Sequence, residues 1–191
     1  DLLLDNKAGT ADSLLMQLAA GLQHPAPSIR QSAFATLAAI SEQLANIGQW
    51  ERLEKLLPAL QQGLREEGVN EHPAQQAIAA IGSLAGHHLS EERYARTADT
   101  AQVLRMLSVH GQTADSTPPF VRQHAGSALK ALCTEPVLER LMQLYLHSEA
   151  YQEAAGRLLI EMGAESAEFQ LQQLMDNESR FERKRLLSLI K

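Results

Sequence analysis

Two segments of this chain are versions of one another. PSIRQSAFATLAAI, beginning at Pro27, aligns without a gap on PFVRQHAGSALKAL, beginning at Pro119. Pro27 meets Pro119, Arg30 meets Arg122, Gln31 meets Gln123, Ala33 meets Ala125, Leu37 meets Leu129 and Ala39 meets Ala131. Ile29 and Val121 are equivalent, as are Ile40 and Leu132. Two looser copies exist. PAQQAIAAIGSL sets Ala77, Ile81 and Leu84 at the places of Ala33, Leu37 and Ile40, and YQEAAGRLLIEM sets Ala155, Leu159 and Met162 there. Internal repetition confines a chain to folds that stack one supersecondary unit many times.

The repeated pattern has a physical logic. A small residue lets two helix backbones approach closely, while aliphatic residues one and two turns later fill the space they share. The proline and the short polar residue beside it turn the chain from one antiparallel helix into the next. The units recur roughly every 30 to 44 residues, near the period of two-helix solenoids.

Composition agrees with helices. Apolar residues make up 45% of the chain and aromatic residues 4%, with Ala and Leu dominant. Such residues lose little entropy in a helix, whereas strands draw on β-branched and aromatic residues. Helical periodicity recurs throughout and strand-like alternation does not. Breakers divide it into ten helices. The first runs from about Asp12 to Gln23, with Leu14, Leu15, Leu18 and Leu22 on one face. The second runs from about Ile29 to Ile47, with Ser28 as N-cap, Pro27 outside and Gly48 closing the end. The third carries Pro58 inside it, so a kink or break is expected near Leu57. A fourth spans about Pro73 to His88, and Ser90 is expected to cap a fifth that reaches Val109. Thr117 is expected to cap a sixth with Pro118 in its first turn. Glu135 and Pro136 open a seventh, and shorter helices start near Glu149, Glu165 and Glu178. Short breaks between ten helices point to antiparallel pairs.

The turn residue followed by Ile29–Arg30 or Val121–Arg122, a small residue and spaced aliphatics resembles the second helix of a HEAT repeat. The segment from Leu158 to Ile190 resembles the short HEAT units common in large bacterial proteins. The resemblance implies an all-α, right-handed α-α superhelix of about five antiparallel helix pairs, running over 1–191 as one armadillo-like domain. It also implies that the second helices line a concave side, where Arg30, Arg122, Gln31 and Gln123 would contact a protein. The pairs near Trp50 and Tyr94 have longer helices than the family pattern, and Arg185 stands near the position where other units have Ala. The chain opens on DLLLDNKAGT, with no initiator Met and no basic signal region. Both ends therefore read as cuts within a longer chain.

Chemistry is harder to find. The formal charge is −6, against a general nucleic-acid binder. Cys133 is the single cysteine, which excludes an internal disulfide, fits a reducing cytoplasm and leaves no thiolate metal site. No run of about 18 apolar residues is present to span a membrane. His87 and His88 are adjacent, so they point about 100° apart on a helix and read as a helix end and not as two ligands of one metal. Glu66–Glu67 and Glu91–Glu92 read as solvated helix ends. Arg180, Arg183, Lys184 and Arg185 form a basic group interleaved by Glu178 and Glu182, which reads as a solvated face. The polar loop HGQTADSTPP and the single tryptophan, Trp50, are the two segments with room for specialisation.

The expectation is thus a non-catalytic cytoplasmic scaffold that binds a protein, or a flanking domain of its own chain, along the concave surface. It uses no cofactor and no metal. The alternative is a HEAT-like enzyme, DNA glycosylase-like or bilin lyase-like, acting on a ligand in the groove. The glycosylase version needs a basic channel with aromatic side chains, against which the acidic balance and scarce aromatics count.

Overall fold

The computed structural model describes residues 8–66, 68–109 and 117–189. Within them are ten helices and no strand: α1 Ala8–Gly21, α2 Pro27–Asn46, α3 Trp50–Gly63, α4 Glu71–Ser90, α5 Tyr94–Ser108, α6 Pro119–Leu132, α7 Glu135–His147, α8 Gln152–Glu161, α9 Ala164–Asp176 and α10 Arg180–Leu189. The molecule divides into two compact units. One comprises the described residues of Asp1–Leu84 and Val109–His124, the other those of Ala85–Ser108 and Ala125–Lys191.

In the first unit, α1, α2 and α3 pack on one another. Gly21 and Ala33 make the α1–α2 approach possible, since a methyl added at Gly21 would lie 3.0 Å from the Ala33 Cβ. The α2–α3 approach is closer still. The Phe34 ring lies against Gly63, where a methyl would fall 2.1 Å from it. Ala11 and Leu15 of α1 are buried, as is Leu22 immediately after it, whereas Leu14 points outward. Leu37, Leu44, Leu53, Leu56, Leu60 and Leu64 complete a core without measurable exposure beyond 1%.

The second unit repeats the device. α8 packs against α5, α7 and α10, and α9 pairs with α10. The Tyr145 ring of α7 covers Gly156 of α8, as Phe34 covers Gly63. Ala155, Leu158, Leu159 and Met162 are fully buried. Where α8 turns into α9, the Ser166 hydroxyl donates to the Leu159 carbonyl at 2.6 Å, and the Gln170 amide donates to Ser166 Oγ at 3.0 Å. Gly163 makes that turn with φ +60, a conformation in which a Cβ would be strained.

Several local expectations change. α3 continues through Pro58 without interruption. Leu53, Leu56, Leu60 and Leu64 bury one continuous face across the proline, and that packing outweighs the lost backbone hydrogen bond. Ala26, not Ser28, is the N-cap of α2, with Pro27 in the first turn. No side chain caps α2; the Ala26 N–H itself donates to His24 Nδ1 at 3.1 Å, and the proline in the first turn lacks one of the N–H groups a cap would satisfy. Ser90 ends α4, its hydroxyl donating to the His87 carbonyl at 2.8 Å. Pro118 takes the position before α6 that Thr117 was expected to hold, its carbonyl accepting from the Arg122 N–H at 3.2 Å. Gly48 does close α2. It has φ +71, and the N–H groups of Gly48 and Gln49 donate to the Ala45 and Leu44 carbonyls at 3.2 and 2.9 Å, a Schellman ending.

Candidate interaction surfaces

The four alanines singled out by the self-match all lie inside. Ala33 of α2 is 8% exposed, and Ala77 of α4, Ala125 of α6 and Ala155 of α8 are at 0%. Ala39 and Ala131, also matched, are both exposed. The repeat therefore carries its inside and its outside together. One equivalence differs: Ile29 is 44% exposed while Val121 is buried at 0%.

Arg30 is half-buried and its guanidinium makes three hydrogen bonds. Nη1 donates to the His24 and Pro25 carbonyls, both at 3.0 Å, and Nε donates to Glu66 Oε2 at 3.0 Å. Gln31 reaches the same loop, its amide donating to the Gly68 carbonyl at 3.1 Å. Arg122 acts alike, with Nη1 donating to the Thr117 carbonyl. Gln123 beside it is exposed. All four residues belong to the first unit, Arg30 and Gln31 on α2, Arg122 and Gln123 on α6. A guanidinium presents its donors in a fixed fork, and here the fork fastens the residues leading into each helix.

Other candidates take ordinary places. His87 and His88 lie in the last turn of α4, with ring centroids 5.8 Å apart. Among the described residues no group of three or more His, Cys, Asp and Glu side chains is placed to hold a metal ion, and no helix is long and apolar enough to cross a membrane. The Cys133 thiol donates to the Leu129 carbonyl at 3.3 Å. Burial, helped by the Glu165 carboxylate, pushes its pKa up to about 11, the opposite of an activated nucleophile. Trp50 opens α3, and its indole lies near Gly48. Glu67 and residues 110–116 of the polar loop fall outside the described residues.

Arg185, which departs from the small residue of the other copies, has a role that only the folded structure reveals. Its Nη1 donates to the Leu146 carbonyl and its Nη2 to Gln152 Oε1 at 3.1 Å. Its guanidinium also stands 4.8 Å over the Phe181 ring. Tyr145 completes the clasp, its hydroxyl donating to the Arg185 carbonyl at 3.1 Å. Helix α10 is thereby fastened to α7 and to the start of α8, with Leu186 buried at 0% and Leu187 left 52% exposed. Arginine at a position where other copies have Ala was the available signal.

Comparison with family models, with curated proteins and with solved structures finds no match.

Proposed function

We propose that this chain is a non-catalytic scaffold segment: a HEAT-like, right-handed superhelix of five antiparallel pairs, α1–α2 through α9–α10. It acts in the cytoplasm and binds a protein, or a flanking domain of its own parent chain, along the concave side lined by the second helices. The observation that carries this reading is the matched set of buried alanines. Ala33, Ala77 and Ala125 are each the seventh residue of α2, α4 and α6, Ala155 is the fourth of α8, and all four are buried; in this reading these are the second helices of successive pairs. A unit that recurs in this way leaves an apolar face for its neighbour to cover, so stability is shared along the stack and an extended surface results.

On that surface Arg30, Arg122 and Gln31 hold the lead-in loops in place, and Gln123 presents its amide outward. Rigid positioning of a few exposed polar groups lowers the ordering cost of binding. A photo-crosslinking residue placed at Gln123 in the native protein tests the assignment. The expected result is one reproducible adduct, to a protein or to another part of the same chain, that is missing when the crosslinker replaces exposed Gln143 of α7. Equal labelling from both positions, or none from Gln123, would remove the concave assignment.

A further inference from the structure

The basic group on α10 is less neutralised than its sequence suggests. Arg180, Arg183 and Lys184 are exposed, and among the described residues no carboxylate lies within ion-pair distance of them. Glu182, which interleaves them, is turned away. Its Oε2 accepts from Asn177 Nδ2 at 2.6 Å, in a cap where the Glu182 N–H donates to Ser179 Oγ at 3.4 Å. Beside the cations Leu187 is 52% exposed and Phe181 64%. The result is an amphipathic face with three uncompensated cations on a chain of net charge −6.

The same unit carries a complementary feature. An open cleft of about 560 Å³ is bordered by the α7–α8 turn, by α8 and by the last turn of α10. Its apolar lining is Tyr145, Gly156, Ile160 and Leu189, and exposed Glu149 and Glu153 stand at its edge. The other charges of the lining are already used. Arg157 pairs with Asp99 at 2.7 Å and Glu161 with Arg105 at 3.3 Å. Glu149 and Glu153 have no cation within ion-pair distance among the described residues.

We propose that the cationic face of α10 on one copy of the chain seats against the Glu149–Glu153 cleft of a second copy. Arg180 to Lys184 spans about 6 Å of helix, so one turn presents all three cations together, with Leu187 aimed at the apolar lining. The two patches are different, so the contact is heterologous and extends head to tail. The occupant is a second copy, because every copy carries both the cationic face of α10 and the exposed Glu149 and Glu153 that complement it. A contact built on exposed charges is salt-sensitive.

Sedimentation equilibrium of the full chain tests this. At low ionic strength the weight-average mass rises with concentration, and added salt returns it to that of the monomer. Arg183→Glu with Lys184→Glu weakens association by at least about tenfold, and so does Glu149→Lys with Glu153→Lys. An equimolar mixture of these two reversed variants associates again, because each reversed patch meets its new complement. All four side chains are exposed, and circular dichroism verifies that the variants keep their helices. A wild-type chain that stays monomeric at low salt overturns the proposal. So does a mixture of reversed variants that stays monomeric, and so does a monomer that instead co-sediments with phosphatidylserine vesicles through α10.

Discussion

Arg30 and Arg122 each turn a guanidinium back onto the segment that leads into their own helix, Arg30 to the His24 and Pro25 carbonyls and Arg122 to the Thr117 carbonyl. The two arginines occupy the same register in matched helices, and both are half-buried. Two arginines expected from the resemblance to contact a protein are also a pair of loop fasteners. These roles are compatible, since a fastened loop holds its neighbouring surface still.

Replacing Arg30 with Ala removes three charge-assisted hydrogen bonds and leaves two carbonyls to water. We expect a loss of about 2 kcal/mol in urea unfolding. Arg30→Lys keeps the charge but not the fork, and it recovers less than half of that loss. A lysine variant as stable as the wild type would show that charge alone suffices.

Gly63 and Gly156 lie in helices, where glycine is disfavoured by about 1 kcal/mol against alanine. Gly63→Ala nevertheless destabilises, by about 1 to 2 kcal/mol net, because the new methyl meets the Phe34 ring. Gly86 of α4 has nothing within 4 Å of an added methyl, so Gly86→Ala stabilises by about 0.5 to 1 kcal/mol. The opposite signs, read in the same denaturation experiment, separate packing from propensity.

Glu92 is the only described non-glycine residue with positive φ, at 54. It follows α4 in a Schellman ending, in which the N–H groups of Glu92 and Arg93 donate to the Leu89 and His88 carbonyls at 3.1 and 2.8 Å. Its pairing with Arg140, at 3.5 Å, is exposed on both sides and contributes little. Glu92→Gly is expected to raise stability by about 0.5 to 1 kcal/mol. A fall in the thermal midpoint would assign the Arg140 contact more weight than the backbone.

The hydrogen bond from Lys55, joined by that from Arg52, holds the Asp12 carboxyl below its ordinary value of 3.8. The folded state thus prefers the charged form. Its stabilising effect is present above the unfolded pKa and is lost as pH falls through the depressed folded value. Asp12→Asn should therefore be less stable than the wild type at neutral pH and approach it below about pH 4. A difference between the two that stays constant into acid would exclude this linkage.

Much of the architecture was legible in the primary structure, because spacing alone identifies amphipathic helices and their breakers. Ala33, Ala77, Ala125 and Ala155 could be picked out as interior, and Gly48 as an ending, because each choice follows from a local rule. The misreadings came where a tertiary partner replaces the local one. Leucines on both sides of Pro58 keep α3 continuous, and α2 starts earlier than Ser28, with its N-cap at Ala26, where the His24 ring accepts the Ala26 N–H. Which carbonyls Arg30, Arg122 and Arg185 reach depends on side chains brought together by folding. No spacing in the sequence encodes that.

The most direct measurement compares leucine substitutions at six matched alanines by denaturant unfolding. Close backbone approach at the repeated small residue predicts that Ala33→Leu, Ala77→Leu, Ala125→Leu and Ala155→Leu each cost about 1 to 3 kcal/mol. Ala39→Leu and Ala131→Leu, at exposed positions of the same repeat, should change stability by less than about 0.5 kcal/mol. If the four interior positions accept leucine as readily as the two outer ones, the helices do not nest through these residues and the repeat-based account fails.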